Sequence, residues 1–198
     1  MIKLYGSARS RAARCMWMLE ELDLTYEHIP VSPPEASTQM AGICPTGKVP
    51  ALTDGPVTLF ESLAINLYLA QTYGRGRLWP STDIGMGLVY QWTLWAATEI
   101  ENPIITIVVE RLFRQQPDEA AIAASEKALP RPLKVLDTHL SASSYLTGDS
   151  FNAADLNVAS ILASARIASI DLSGYPAVTA WLDRCLGRPA YAAVNARR

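Results

Sequence analysis

The chain has 198 residues, of which 49% are apolar and 18% charged, and a formal net charge of -2. That balance supplies the core of one large domain or two small ones and excludes the basic surface of a nucleic-acid binder. No apolar run reaches the roughly 20 residues that span a bilayer, the start lacks a signal-peptide layout, and 3 cysteines with 2 histidines form neither a disulfide framework nor a metal site.

A cytoplasmic protein is therefore expected. In chain order, "IKLYG" (2–6) predicts a short buried strand ended by Gly6. Over 10–22, Ala13, Met16, Trp17 and Leu19 recur at helical spacing, and "YEHIPV" (26–31) predicts a second strand, parallel to the first across a right-handed crossover. Pro33 and Pro34 break the chain, and a short helix falls over 35–42. "VPALT" and "VTLF" flank "DGP", which is a hairpin signal. "SLAINLYLAQTYG" predicts a helix that starts at Ser62 and stops at Gly74. After "GRGRLWPSTD" only helical patterns follow. One long helix covers 84–113, with Pro103 bending it. Another covers 118–141, interrupted by Pro130 and Pro132; "NAADLNVASILASARI" is a third; "PAVTAWLDRCLGRP" is a fourth, stopping at Gly187. A small α/β domain over 1–77 and an all-helical domain over 84–198 result.

The stretch "CPTGKVPALTDGPVTLFES" (44–62) carries the first candidate site residues. A proline that opens a strand beside a sharp turn is a place where a cis peptide is tolerated. With Val49–Pro50 cis, Val49 offers its main-chain N–H and C=O to a ligand, which pairs there as an added strand. A plain edge-strand proline is the alternative. Glu61 and Ser62 stand where a strand gives way to a helix. A helix N-terminus suits a carboxylate, the Ser62 hydroxyl adds a donor, and Glu61 suits an ammonium group. Together they match the α-amino acid end of a ligand, although a serine there also serves as a plain cap. In "YGSARSRAARC", Ser10 falls near the N-cap of the first helix. A hydroxyl donor at that point stabilises a thiolate, or it caps. No His–Asp pair is placed to activate Ser10 as a nucleophile.

These elements in this order, ahead of a helical region, resemble the cytosolic glutathione S-transferase family, of bacterial type. The resemblance covers nearly the whole chain and is most specific in "PTGKVPAL" (45–52), "LFESLAI" (59–65) and "FNAADL" (151–156). It implies an α/β thioredoxin-like N-terminal domain followed by an all-α C-terminal domain, with a cis-proline at Pro50. It also implies that Val49 pairs with the cysteinyl backbone of glutathione and that Glu61 and Ser62 hold the γ-glutamyl end. Lys48 is a candidate for the glycyl carboxylate, and Gln39 is a second. Asn152 and Asp155 resemble the family's capping box and are structural. Cys44 departs from the Asn that relatives commonly carry before the proline and is taken as a buried thiol. Family branches with a catalytic serine show Ser and then Arg four positions on, as Ser10 and Arg14 do; branches with a catalytic tyrosine place it where Tyr5 stands. Ser10 is the first choice, Tyr5 the next, and Ser7 a third. Redox branches carry Cys at the Ser10 position, which argues against glutaredoxin-like activity here.

The implied activity is glutathione transfer, with glutathione as co-substrate. Its thiol, of pKa about 8.5 when free, is lowered by a hydroxyl hydrogen bond and the helix field, and the thiolate attacks a small electrophilic or hydrophobic substrate. That substrate is expected between the domains, against the long helix, with Tyr90, Trp95 and Asn102 foremost and Trp92, Glu99 and Ile105 as further lining candidates. Trp and Ile at helical spacing fit a core equally. A homodimer across 62–73 and 84–110 is implied, with an acid of the partner's long helix, Glu99 or Glu101, reaching the γ-glutamyl amine. Neither metal, nucleic acid nor membrane is an expected partner. The competing readings are a transferase-like binding or regulatory protein without catalysis, and a specialised isomerase, dehalogenase or peroxidase. Retention of Val49, Glu61 and Ser62 favours glutathione binding.

Overall fold

The computed structural model describes residues 1–31 and 36–197. The chain divides into two units, one of Met1–Pro80 with Gly187–Arg198 and one of Ser81–Leu186. In the first, strands β1 (Ile2–Tyr5), β2 (Tyr26–Ile29), β3 (Ala51–Asp54) and β4 (Val57–Phe60) form a sheet in the order β2-β1-β3-β4. β1 runs parallel to β2 and antiparallel to β3, and β3 pairs with β4 across a tight turn in which Asp54 faces Val57. Helices α1 (Ala12–Glu21), α2 (Ala36–Gln39) and α3 (Ser62–Tyr73) complete the α/β arrangement expected for this part of the chain. The helix placed over 35–42 is shorter than expected, and Pro33 and Pro34 lie outside the described residues. Ala12 to Leu19 are buried without interruption, because α1 is covered by the sheet, by α3 and by one further helix. A helix apolar all round is one with neighbours all round.

That further helix is α10 (Pro189–Asn195), which the sequence reading stops short of. Gly187 does end α9 (Pro176–Leu186), but Pro189 stands in the first turn of a new helix, where a proline costs nothing. The last segment thus belongs to the first unit, and the helical domain expected over 84–198 ends at Leu186. Arg188 donates from Nε and Nη2 to the two oxygens of the buried Glu21 carboxylate at 2.6 and 2.7 Å. Trp17 Nε1 donates to the same carboxylate at 2.9 Å, and the Trp17 ring meets Tyr191 edge-on at 4.9 Å between centroids. Arg197 closes the strap on Glu20 and on the Tyr26 hydroxyl at 2.7 and 2.8 Å. Arg188→Ala is expected to destabilise the protein by about 1.5 kcal/mol, less than a fully buried pair because the guanidinium is partly wet. Urea denaturation checks this, and a loss below about 0.5 kcal/mol, the scale of an exposed pair, would mean that the strap is idle.

The second unit holds α4 (Asp83–Trp95), a π-helical turn (Ala96–Ile100), α5 (Glu101–Phe113), α6 (Glu119–Ala128), α7 (Pro130–Leu140), α8 (Ala153–Ile167) and α9. The long helix expected over 84–113 is present, and its irregularity falls in the turn before Pro103. Pro103 has no N–H for the Glu99 carbonyl, and its ring crowds that carbonyl, so the helix widens one turn earlier. The helix expected over 118–141 divides at Leu129, with Pro130 opening α7. α8 is buried over most of its length and starts in the expected capping box. The Asn152 side chain accepts from the Ala154 N–H at 2.9 Å, and Asp155 Oδ2 accepts from the Asn152 N–H at 3.0 Å. Among the described residues no helix is long and apolar enough to cross a membrane.

Candidate functional site

The site begins where β1 ends. Gly6 leaves the strand at φ +132°, and a Cβ there would lie 2.7 Å from the Ala12 Cβ, 3.3 Å from the Val49 Cβ and 3.4 Å from the Ser10 Oγ. The start of α1, the loop before β3 and the Ser10 hydroxyl therefore meet around a point that only glycine leaves open. The sequence reading used Gly6 merely as a strand stop; its signal was its place between "KLY" and the serine-rich turn.

Val49–Pro50 is cis, so the edge-strand alternative for Pro50 falls away. β3 begins at Ala51, which pairs with Tyr5 and with Phe60. Val49 thus stands outside the ladder. Its side chain and the Tyr5 ring pack on the cluster of Val31, Met40, Cys44 and Ala51. Ser10 Oγ accepts the Ala12 N–H at 3.1 Å and donates to the Ser7 carbonyl at 2.8 Å. Ser10 therefore caps α1 with a lone pair, and its proton, now on the Ser7 carbonyl, can turn to another acceptor without loss of the cap. Ser7 stands half-buried beside it and supplies that carbonyl.

Glu61 occupies the N-cap position of α3 at φ 69°, and its exposed carboxylate makes no cap hydrogen bond. It has no ion pair among the described residues. Ser62 is buried at the first position of the helix. The Ser62 carbonyl accepts the Cys15 thiol at 3.5 Å, and Asn66 Nδ2 donates to the Arg14 carbonyl at 3.3 Å. Early α1 and early α3 are thereby tied together, which brings the Ser10 and Ser62 ends to one region. Asn66 was missed by the sequence reading, although an amide one turn after Ser62 in a largely apolar helix was a legible signal.

Burial pushes the Cys15 thiol up to about 12 and keeps it protonated. At Cys44 burial also pushes upward, but hydrogen bonds from the Thr46 hydroxyl and from the main chain of Thr46, Lys48 and Gly47 outweigh it and leave the thiol below its ordinary value. The sulfur is buried, 3.0 Å from Thr46 Oγ1. Lys48 and Gln39 are both exposed, and neither side chain is hydrogen-bonded to the other site residues described. In the second unit Tyr90, Glu99 and Asn102 are exposed, and Trp95 and Ile105 are half-buried. Trp92 is buried, its ring 4.7 Å from that of His139 and 5.2 Å from that of Trp95. It belongs to the core and not to a lining.

Residues 1–71 match the family model described as Glutathione S-transferase, N-terminal domain, and residues 100–189 match Glutathione S-transferase, C-terminal domain. A glutathione S-transferase of Hyoscyamus muticus is 33% identical over 96% of this chain and 95% of its own. Glutathione S-transferase 3 of Zea mays is 32% identical over 96% and 91%, and glutathione S-transferase GstB of Escherichia coli (strain K12) 29% over 96% and 95%. The expected bacterial type thus has a bacterial relative, but plant proteins match at higher identity. Among solved structures, glutathione transferase F7 of Populus trichocarpa aligns with a TM-score of 0.91 at 26% identity, covering 99% of this chain and 98% of that one. Glutathione S-transferase-I bound with lactoylglutathione aligns at 0.90 and 29%, covering 100% and 99%. With both family domains matched and relatives above 30% identity along nearly its whole length, this chain belongs to the glutathione S-transferase family.

Proposed function

We propose that Ser10 serves the thiol in this glutathione transferase. The observation that carries the reading is the convergence at Gly6 of the Ser10 hydroxyl and Val49, beside an α3 start that offers the Glu61 carboxylate and the Ser62 hydroxyl. Val49, which stands outside the β3 ladder, pairs with the cysteinyl backbone of glutathione. Glu61 takes the γ-glutamyl ammonium, and Ser62 with the α3 N-terminus takes its carboxylate. Lys48 faces the glycyl carboxylate, with Gln39 the second candidate for it. Ser10 turns its O–H from the Ser7 carbonyl to the sulfur and holds it as thiolate. The electrophilic substrate lies against Tyr90, Trp95 and Asn102. A homodimer over α3 and α4 accounts for Tyr73, Ile84 and Leu94, which are 43%, 79% and 62% exposed. A cytoplasmic location goes with a co-substrate that must stay reduced.

Calorimetry of glutathione binding tests the γ-glutamyl assignment. Glu61→Ala and Ser62→Ala are each expected to weaken binding by about 1 kcal/mol or more, as charge-assisted hydrogen bonds do. Unchanged affinity in both would overturn it. The non-catalytic reading is separated by the thiolate absorbance of the bound ligand, since a mere binder leaves the thiol where it is in water.

A further inference from the structure

We propose that His28 is a positioning residue for the thiol-binding turn: its imidazole holds the Gly6–Ser7 peptide and, through the Ser7 carbonyl that takes the Ser10 N–H, the place of the Ser10 oxygen. The inference rests on the assignment of Ser10 above. His28 lies in β2 opposite Leu4, half-buried, with Nε2 at 2.6 Å from the Gly6 carbonyl oxygen. A carbonyl only accepts, so Nε2 carries the proton. The Gly6 N–H donates to the Ile29 carbonyl at 3.0 Å. β2 therefore grips Gly6 twice, by its main chain on the N–H and by a side chain on the C=O.

That second grip falls on a glycine joint of the site. Gly6 sits at φ +132°, where a residue without Cβ has wide freedom, and its carbonyl lies beyond the β1 ladder. The peptide that follows is planar and trans, so fixing the Gly6 C=O fixes the opposite direction of the Ser7 N–H. One peptide further, the Ser7 carbonyl accepts both the Ser10 N–H at 3.0 Å and the Ser10 hydroxyl at 2.8 Å. The turn fixed at Gly6 thus sets, through the Ser7 carbonyl on the Ser10 N–H, the place of the Ser10 oxygen from which the O–H turns to the sulfur. A β-branched aliphatic would suit a half-buried strand position as well, but it has no donor for the Gly6 carbonyl.

The test compares three variants of the full chain by calorimetry and by thiolate absorbance of bound glutathione against pH. In His28→Gln the amide nitrogen reaches as far as Nε2; in His28→Asn it reaches only as far as Nδ1; His28→Leu has no donor. His28→Asn and His28→Leu are expected to lower the thiolate fraction at pH 6.5 by about threefold, half a pKa unit, with Kd changed less than about twofold, while His28→Gln stays within about 1.5-fold of the native protein. Two non-reaching variants are read so that the folding of one does not decide the result. A thiolate fraction unchanged in the folded non-reaching variants would overturn the inference, as would a loss in His28→Gln equal to theirs. If the native protein itself left the thiol unshifted, the Ser10 assignment would fail, and this inference with it.

Discussion

Asp155→Ala is expected to lower stability by about 4 kcal/mol at pH 7, chiefly because it strands three buried donors at about 1–3 kcal/mol each. Asp155 Oδ1 accepts the Leu146 N–H and the Trp181 Nε1–H, both at 2.9 Å, and Oδ2 accepts the Asn152 N–H at 3.0 Å. One carboxylate thus caps α8, anchors the loop before it and fixes the tryptophan of α9. Asp155→Asn keeps one oxygen for the first pair but turns its amide on the Asn152 N–H, so about half of the loss is expected. Burial pushes the Asp155 carboxyl up to about 6, against the pull of the hydrogen bonds from Leu146, Trp181 and Asn152. Unfolded, the same group titrates near 3.9. The folded state therefore holds the proton more tightly, and the contribution of this group to stability is greatest below about pH 4 and declines as pH rises to about 6. The stability difference between the native protein and Asp155→Asn should accordingly shrink by about 3 kcal/mol across that window. Urea denaturation at several pH values measures both effects, and a difference that grew with pH would contradict the sign.

What could be read in the sequence is what short spacings encode. The Asn152–Asp155 box spans three residues, the β3–β4 turn two, and the cis-proline loop carries its own local signature. The partners that complete those features are far away in the chain. Trp181 reaches Asp155 across 26 residues, and Arg188 reaches Glu21 across 167. α10, "PAYAAVN", is with 7 residues too short to show a helical period. It is held instead by an ion pair and an aromatic contact, which a periodicity reading does not register. Along α4, Tyr90 and Trp92 look alike as aromatic residues on a helix, yet one faces solvent and the other the core. Burial of an aromatic depends on which helices arrive from elsewhere. The site followed the same division: Val49, Ser10, Glu61 and Ser62 belong to local turns and helix starts, whereas Gly6, His28 and Asn66 matter through what they touch across elements.

Removing the Ser10 hydroxyl should lower kcat/KM toward an electrophile by about tenfold at pH 6.5. There the thiolate fraction falls about tenfold for each unit by which the pKa rises, and the hydroxyl bond accounts for about one unit, the field of the α1 N-terminus remaining in the variants. Two substitutions separate this from loss of the cap. Ser10 Oγ accepts the Ala12 N–H, so Ser10→Ala also costs about 1 kcal/mol of stability, whereas Ser10→Gly caps nearly as well, within a few tenths, and equally lacks the donor. Both variants should raise the pKa of bound glutathione alike while differing in stability. Tyr5→Phe should change the thiolate titration by less than about twofold, one hydrogen bond at most. The Tyr5 ring is packed with Val49 on the cluster of Val31, Met40, Cys44 and Ala51, and that packing survives loss of the hydroxyl. Ser7→Ala should behave likewise, because Ser7 contributes to the turn through its main-chain carbonyl. A titration that moved in Tyr5→Phe alone would transfer the thiol to Tyr5, and one that moved in Ser7→Ala alone would transfer it to Ser7. A loss in Ser10→Ala that Ser10→Gly did not share would mean that the serine acts only as the cap of α1.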